Sequence, residues 1–234
     1  MKKRIIWGSL FFIGGFGVIF CFFIFDRKFA GDSFTEINNK EEEVSEDLEK
    51  YPAENVSRKN EEIQIQSELF VSPMDRAGER VNKKPFGIYI TRQNSPIKPE
   101  RFSGYHTGAD FEIFPEELEG VVAVRAVCDG KIIKKDSVSG YGGVLIQSCE
   151  IADQIVTVLY GHLNLTSIKK GVGDNLIINE YIGNLGRDRS IETDGERKHL
   201  HLGIHKGGGI NFLGYVQDEN QLSNWLDPCE YFCK

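Results

Sequence analysis

Three patterns of apolar and polar positions follow one another along the chain. From Ile5 to Phe25 no residue is charged, and only glycines, Ser9 and Cys21 interrupt the large apolar side chains. A helix over this stretch would rise ~31 Å, about the thickness of a bilayer's hydrocarbon core. The pattern predicts a transmembrane helix at 5–25, leaving residues 1–4 as a cytoplasmic N-terminus. Lys2, Lys3 and Arg4 precede the run while Asp26, Arg27 and Lys28 follow it, so the positive-inside bias is small. A cleaved signal peptide fits less well, because the apolar run is long and Lys28 would stand at −3 for cleavage after Ala30. A lipoprotein signal fits poorly too, since Phe20 rather than a small residue precedes Cys21.

The second pattern, residues 26–68, is polar, carries Glu41-Glu42-Glu43 and has too few large apolar residues to form a core. It is expected to be a solvated acidic linker. Ile37, Val44, Leu48 and Tyr51 fall near helical spacing, which leaves a short stalk helix or weak coiled coil as a second reading.

From 69 to 234 short apolar runs alternate with glycines. Residues 121–127, 131–134, 144–147, 155–160 and 199–205 are rich in β-branched or aromatic side chains and predict strands. Asp129-Gly130 signals a hairpin between the first two, and Ser139-Gly-Tyr-Gly-Gly143 a tight loop before the third. No amphipathic pattern of helical length separates them. The expected class is therefore mostly β: an antiparallel β-sandwich or partly open barrel, preceded by one transmembrane helix.

A chain of 234 residues with 40% hydrophobic content supports one substantial core rather than two. The net charge of −7 lies mainly in the linker, since residues 32–68 hold twelve acidic and four basic side chains. No basic face for nucleic acid stands out. With Cys21 facing lipid, Cys128, Cys149, Cys229 and Cys233 remain, an even number that suits disulfides in an oxidising compartment. Three pairings exist. Nearness in sequence favours Cys128 with Cys149 and Cys229 with Cys233, and four unpaired thiols are the other reading.

All five histidines lie between 106 and 205, four of them in His106-Thr-Gly-Ala-Asp110, Tyr160-Gly-His162-Leu and His199-Leu-His201-Leu. Zinc takes imidazole nitrogen and carboxylate oxygen, and catalytic sites commonly use three protein ligands. In a strand His199 and His201 share a face while Leu200 turns away. One imidazole can then bind metal while its neighbour handles protons. Each motif alone would more often be a surface or hydrogen-bonded feature. His205 shares their parity, but four strand residues span ~13 Å, too far for the same ion, so a structural or exposed role is expected.

Taken together, the motifs resemble the lysostaphin-type (LytM-like) zinc metalloendopeptidases, which cut peptide cross-links of bacterial peptidoglycan. The resemblance runs from about Phe70 to Pro228. It is carried by Phe86-Gly87, His106-Thr-Gly-Ala-Asp110, Ala126-Val-Cys-Asp-Gly130, Gly140-Tyr-Gly-Gly143, Leu159-Tyr-Gly-His-Leu163, Gly171-Val-Gly-Asp174, Ile182-Gly-Asn-Leu-Gly186 and His199-Leu-His-Leu-Gly203.

The resemblance implies a lysostaphin-type metallopeptidase domain over 69–234 with His106, Asp110 and His201 as ligands of Zn2+ and His162 and His199 as catalytic residues. His199 is assigned to move the water's proton to the leaving amine, and His162 to orient water or stabilise the oxyanion; the two roles are exchangeable. The implied partners are peptidoglycan cross-link peptides, the membrane through the N-terminal helix, and other cell-envelope proteins. The implied location is a single-pass cell-membrane protein with its catalytic domain on the extracytoplasmic side. The alternative is a non-catalytic LytM-like domain that activates another cell-wall hydrolase or serves as an envelope scaffold. One departure is evident: a long charged segment, Arg187–Lys198, replaces the family's short glycine- and serine-rich turn. It is expected either to border the substrate groove or to be solvated.

Overall fold

The computed structural model describes residues 71–151 and 154–233. The anticipated cytoplasmic N-terminus, membrane helix and acidic linker all lie outside the described residues. Among those described, no helix is long and apolar enough to cross a membrane.

The described chain is mostly antiparallel β, as expected. In order it comprises α1 (Ala77–Arg80), β1 (Tyr89–Ile90), β2 (Gly104–His106), β3 (Gly108–Glu112), β4 (Ala123–Arg125), β5 (Gly130–Val138), β6 (Gly142–Ile151) and β7 (Gln154–Gly161). There follow β8 (Leu163–Asn164), β9 (Asn175–Leu176), β10 (Tyr181–Leu185), β11 (His199–Lys206), β12 (Tyr215–Val216), β13 (Trp225–Leu226) and α2 (Cys229–Phe232). The main sheet runs β13-β11-β7-β6-β5-β9, with β3 also pairing β11. Two three-stranded sheets, β4-β10-β8 and β1-β2-β12, complete it, and no barrel closes.

Strand β11 positions the site. One edge pairs with β7, while β3 and then β13 share the other. Its alternation sends Leu200, Leu202 and Ile204 to one face, where they are fully buried with Ala109 and Phe111 of β3 and Val158 and Tyr160 of β7. Each such aliphatic side chain contributes ~1.5–3 kcal/mol by leaving water. The opposite face carries His199 and His201. A smaller apolar group, Tyr141, Val144, Ile146 and Leu159, packs separately from the main core. In the main core the Tyr160 hydroxyl donates to Gln147 Oε1 at 2.9 Å and accepts from the Val127 amide at 3.0 Å. Gln147 Nε2 in turn donates to the Cys128 carbonyl at 2.6 Å. A chain of bonds thus satisfies two buried polar groups.

Both favoured disulfides are present, Cys128–Cys149 and Cys229–Cys233. The loop at 139–143 turns as predicted, with Gly140 and Gly142 at φ 90° and 71°, where glycine is at ease. The hairpin at Asp129-Gly130 does not form. Only residues 123–125 of the expected first strand are extended, and they pair with β10 rather than β5. Asp129 Oδ1 instead accepts from the Ile178 amide at 2.6 Å. Gly130 opens β5 so close to β6 that a Cβ would collide with the Ser148 carbonyl. The Asp-Gly pair serves close strand approach rather than a turn.

Candidate metal centre and its cleft

Register brings the motifs together. His201 stands directly opposite Asp110 on β3 and opposite Gly161 on β7. His106 closes β2, with only Thr107 between it and β3, and its ring reaches the same point. His106 Nε2 lies 3.1 Å from His201 Nδ1 and 3.3 Å from Asp110 Oδ1, and His201 Nδ1 lies 3.1 Å from that same oxygen. Two tetrahedral ligands at ~2.0–2.1 Å from zinc stand ~3.3 Å apart, so this triangle fits one ion. Among the described residues these three form the group able to hold a metal.

The outer contacts aim the donors as a metal would require. His106 Nδ1 donates to the Pro85 carbonyl at 3.2 Å, which leaves Nε2 with its lone pair. His201 Nε2 faces the Tyr141 hydroxyl at 3.4 Å. Burial pushes the His201 imidazole down to about 4, against the pull of Asp110, so it is neutral at pH 7 and able to coordinate. Burial resists ionisation of Asp110, but the His199 and His106 rings outweigh it and hold the carboxyl well below its ordinary range.

His199 and His162 stand beside the triangle, ring centroids 4.2 Å apart. His199 Nδ1 donates to the Arg197 carbonyl at 2.8 Å, so its neutral tautomer presents a bare Nε2, 3.4 Å from Asp110 Oδ2. His162 takes a left-handed backbone, φ 63°, between Gly161 and β8, which turns its ring back over β11. Burial, followed by the nearby His199, lowers its pKa well below the ordinary value. Its buried Nδ1 has no hydrogen-bond partner among the described residues. An imidazole kept neutral and unsatisfied is poised to meet a ligand. All five residues line a cleft of about 300 Å³, walled by Phe102, Tyr141, Phe212 and Tyr215 among others.

His205 stays apart from this group, packed edge-on against Trp225 with centroids 5.0 Å apart. The charged segment 187–198 divides. Arg187, Asp188 and Arg189 are exposed, whereas Thr193, Glu196, Arg197 and Lys198 are buried. The solvated reading therefore fails for its second half. Glu196 and Arg197 line the cleft, and Lys198 Nζ donates to the carbonyls of Glu117, Leu118 and Gly120 at 2.6–3.1 Å.

Sequence reasoning missed Arg197, Glu112, Tyr215 and Lys84. Arg197 donates to Asp110 Oδ2 at 2.9 Å and grips the Glu112 carboxylate. Lys84 Nζ pairs with Glu100 at 2.6 Å and donates to the Tyr215 hydroxyl at 3.1 Å, while the Tyr215 ring lies 5.0 Å from that of His106. Strand parity was the available signal for two of them: 197, 199 and 201 alternate together, as do 110 and 112.

Residues 104–212, just under half of the chain, match the model of Peptidase family M23. No curated protein sequence matches. Among solved structures, cbpa from L. salivarius REN aligns at 23% identity over 68% of this chain and 92% of that one, with a TM-score of 0.44. LytU aligns at 21% identity over 64% and 84%, TM-score 0.42. Helicobacter pylori Csd3 aligns at 18% identity over 70% of this chain and 34% of its own, TM-score 0.41, so the chain spans about a third of that protein.

Proposed function

We propose, from the premise that this chain carries a LytM-type domain of Peptidase family M23, that it is a zinc metalloendopeptidase hydrolysing peptide cross-links of bacterial peptidoglycan. The observation that supports this most is the triangle of His106, Asp110 and His201 donors, 3.1–3.3 Å on each side, with two further imidazoles at the same cleft. We also propose that residues 5–25 anchor the domain in the cell membrane with the cleft on the extracytoplasmic side. The apolar run and the two disulfides support that location.

His106, Asp110 and His201 would hold the ion, which supplies Lewis acidity that polarises a carbonyl and acidifies water. His199 Nε2, bare because Nδ1 is bonded to Arg197, accepts a proton there and returns it to the departing amine. His162, neutral and with Nδ1 free of internal partners, donates to water or to the developing oxyanion. The cleft walls of Phe102, Phe212 and Tyr215 offer aromatic surface on which the peptide is seated.

The test uses the full-length protein with peptidoglycans of several cross-link types. Wild type is expected to hold about one zinc and to release new amino termini. His201→Ala should lose the zinc, while His199→Ala should keep it with activity lower by about 10²–10⁴-fold. Zinc retained by wild type with no amino termini released would instead favour a binding module that acts through another hydrolase.

A further inference from the structure

The charged segment before β11 places a guanidinium directly beside the donor triangle. Arg197 is buried, and its Nη2 donates to Asp110 Oδ2 at 2.9 Å and also to Glu112 Oε1. Its Nε donates to both Glu112 oxygens, at 2.9 and 3.0 Å. The two oxygens of Asp110 therefore have separate tasks. Oδ1 lies within 3.1–3.3 Å of the donor nitrogens of His201 and His106, while Oδ2 is engaged by Arg197. We infer that Arg197 is a positioning residue that restricts Asp110 to one metal-facing oxygen and so makes the centre select zinc over larger, oxygen-seeking ions such as Mn2+.

The chemistry of the alternative supports this. Asp110 and Glu112 are two apart on β3, so both carboxylates project to the same face. Without the guanidinium between them, Asp110 would be free to offer both oxygens and Glu112, whose Oε2 also accepts from Lys83 Nζ at 3.0 Å, would add at least one more. Such an oxygen-rich set suits hard ions of high coordination number, whereas two imidazoles and one carboxylate oxygen suit four-coordinate zinc. Arg197 also fixes His199 through its carbonyl, so a single residue aligns a ligand with its side chain and a proton-handling ring with its backbone. Lysine has no planar fork with which to bridge the two carboxylates.

This inference rests on the zinc reading, and the experiment separates the two. Zn2+ and Mn2+ affinities are measured by chelator competition on the full-length protein, with the visible spectrum of the Co2+ form as a report on coordination number. Arg197→Met is expected to weaken zinc about 10- to 100-fold, as loss of an outer partner does, with a smaller change for Mn2+. The Zn/Mn preference then falls and the strong four-coordinate Co2+ absorption fades. Arg197→Lys should not restore either, and Glu112→Gln, which leaves the Asp110 contact in place, should retain most of the preference. If Arg197→Met does not fold, Arg197→Met combined with Glu112→Gln removes the charge together with a partner and tests the freed Asp110 oxygen alone, with a smaller fall in the Zn/Mn preference expected. A folded variant with an unchanged Zn/Mn ratio and Co2+ spectrum overturns the inference. Failure of wild type to bind zinc would overturn the underlying reading instead.

Discussion

The two faces of strand β11 make opposite demands with residues one apart in sequence. On one face Leu200, Leu202 and Ile204 belong to the main apolar cluster and their energy comes from leaving water. On the other, His199 and His201 are as deeply buried but sit among Asp110, Glu112 and Arg197, where each charge is tolerable only because another faces it. The first face draws on burial, which is non-directional, although close packing still limits small rotations of its side chains. The second depends on them, because its donor triangle is only 3.1–3.3 Å on a side. Stability and chemistry are thus separated by the pleat of one strand rather than by distance along the chain.

If that separation holds, Leu202→Ala should cost about 2–5 kcal/mol in urea unfolding and yet leave zinc per chain unchanged wherever the protein remains folded. Metal lost from a still-folded Leu202→Ala protein would break the comparison. Removing the Cys128–Cys149 bridge as a double alanine variant acts at the core face too. It should lower stability by about 3 kcal/mol in the chain-entropy view, with zinc affinity again unmoved.

The smallest effect belongs to the cleft rim, where Asp194 pairs with Arg101 at 2.9 Å and accepts from the Gly140 amide at 2.8 Å. The Arg101 hydrogen bond and then the Gly140 amide lower its pKa. Its contribution is therefore complete above the ordinary aspartate range and is lost as pH falls through the folded value. Asp194→Asn keeps the left-handed backbone that asparagine tolerates. It should cost about 0.2–1 kcal/mol at neutral pH and narrow the gap to wild type in acid, as read from unfolding midpoints across pH.

Much of the main sheet was legible because β5, β6, β7 and β11 are eight to ten residues long and each holds a run rich in β-branched or aromatic side chains. The strands β1, β2, β8, β9, β12 and β13 have two or three residues, too few for any period, and tertiary pairing alone defines them. The donor set was legible from motif chemistry and its register from the parity of His199 and His201. Arg197 was not, because a run of alternating charges looks solvated until the fold turns this one side chain inward between Asp110 and Glu112. The Asp129-Gly130 pair misled for a related reason: glycine marks close backbone approach as readily as a turn.

His162 holds the left-handed conformation at φ 63°, a region that costs a non-glycine residue on the order of 1–2 kcal/mol. The residue that bears this cost is one whose imidazole lines the cleft. A change to glycine at this one position would ease the backbone, delete one of the two imidazoles beside the donor triangle and leave His106, Asp110 and His201 in place. On the proposed reading, one residue change that runs downhill in local conformational energy would convert a hydrolase into an inert metal-holding domain.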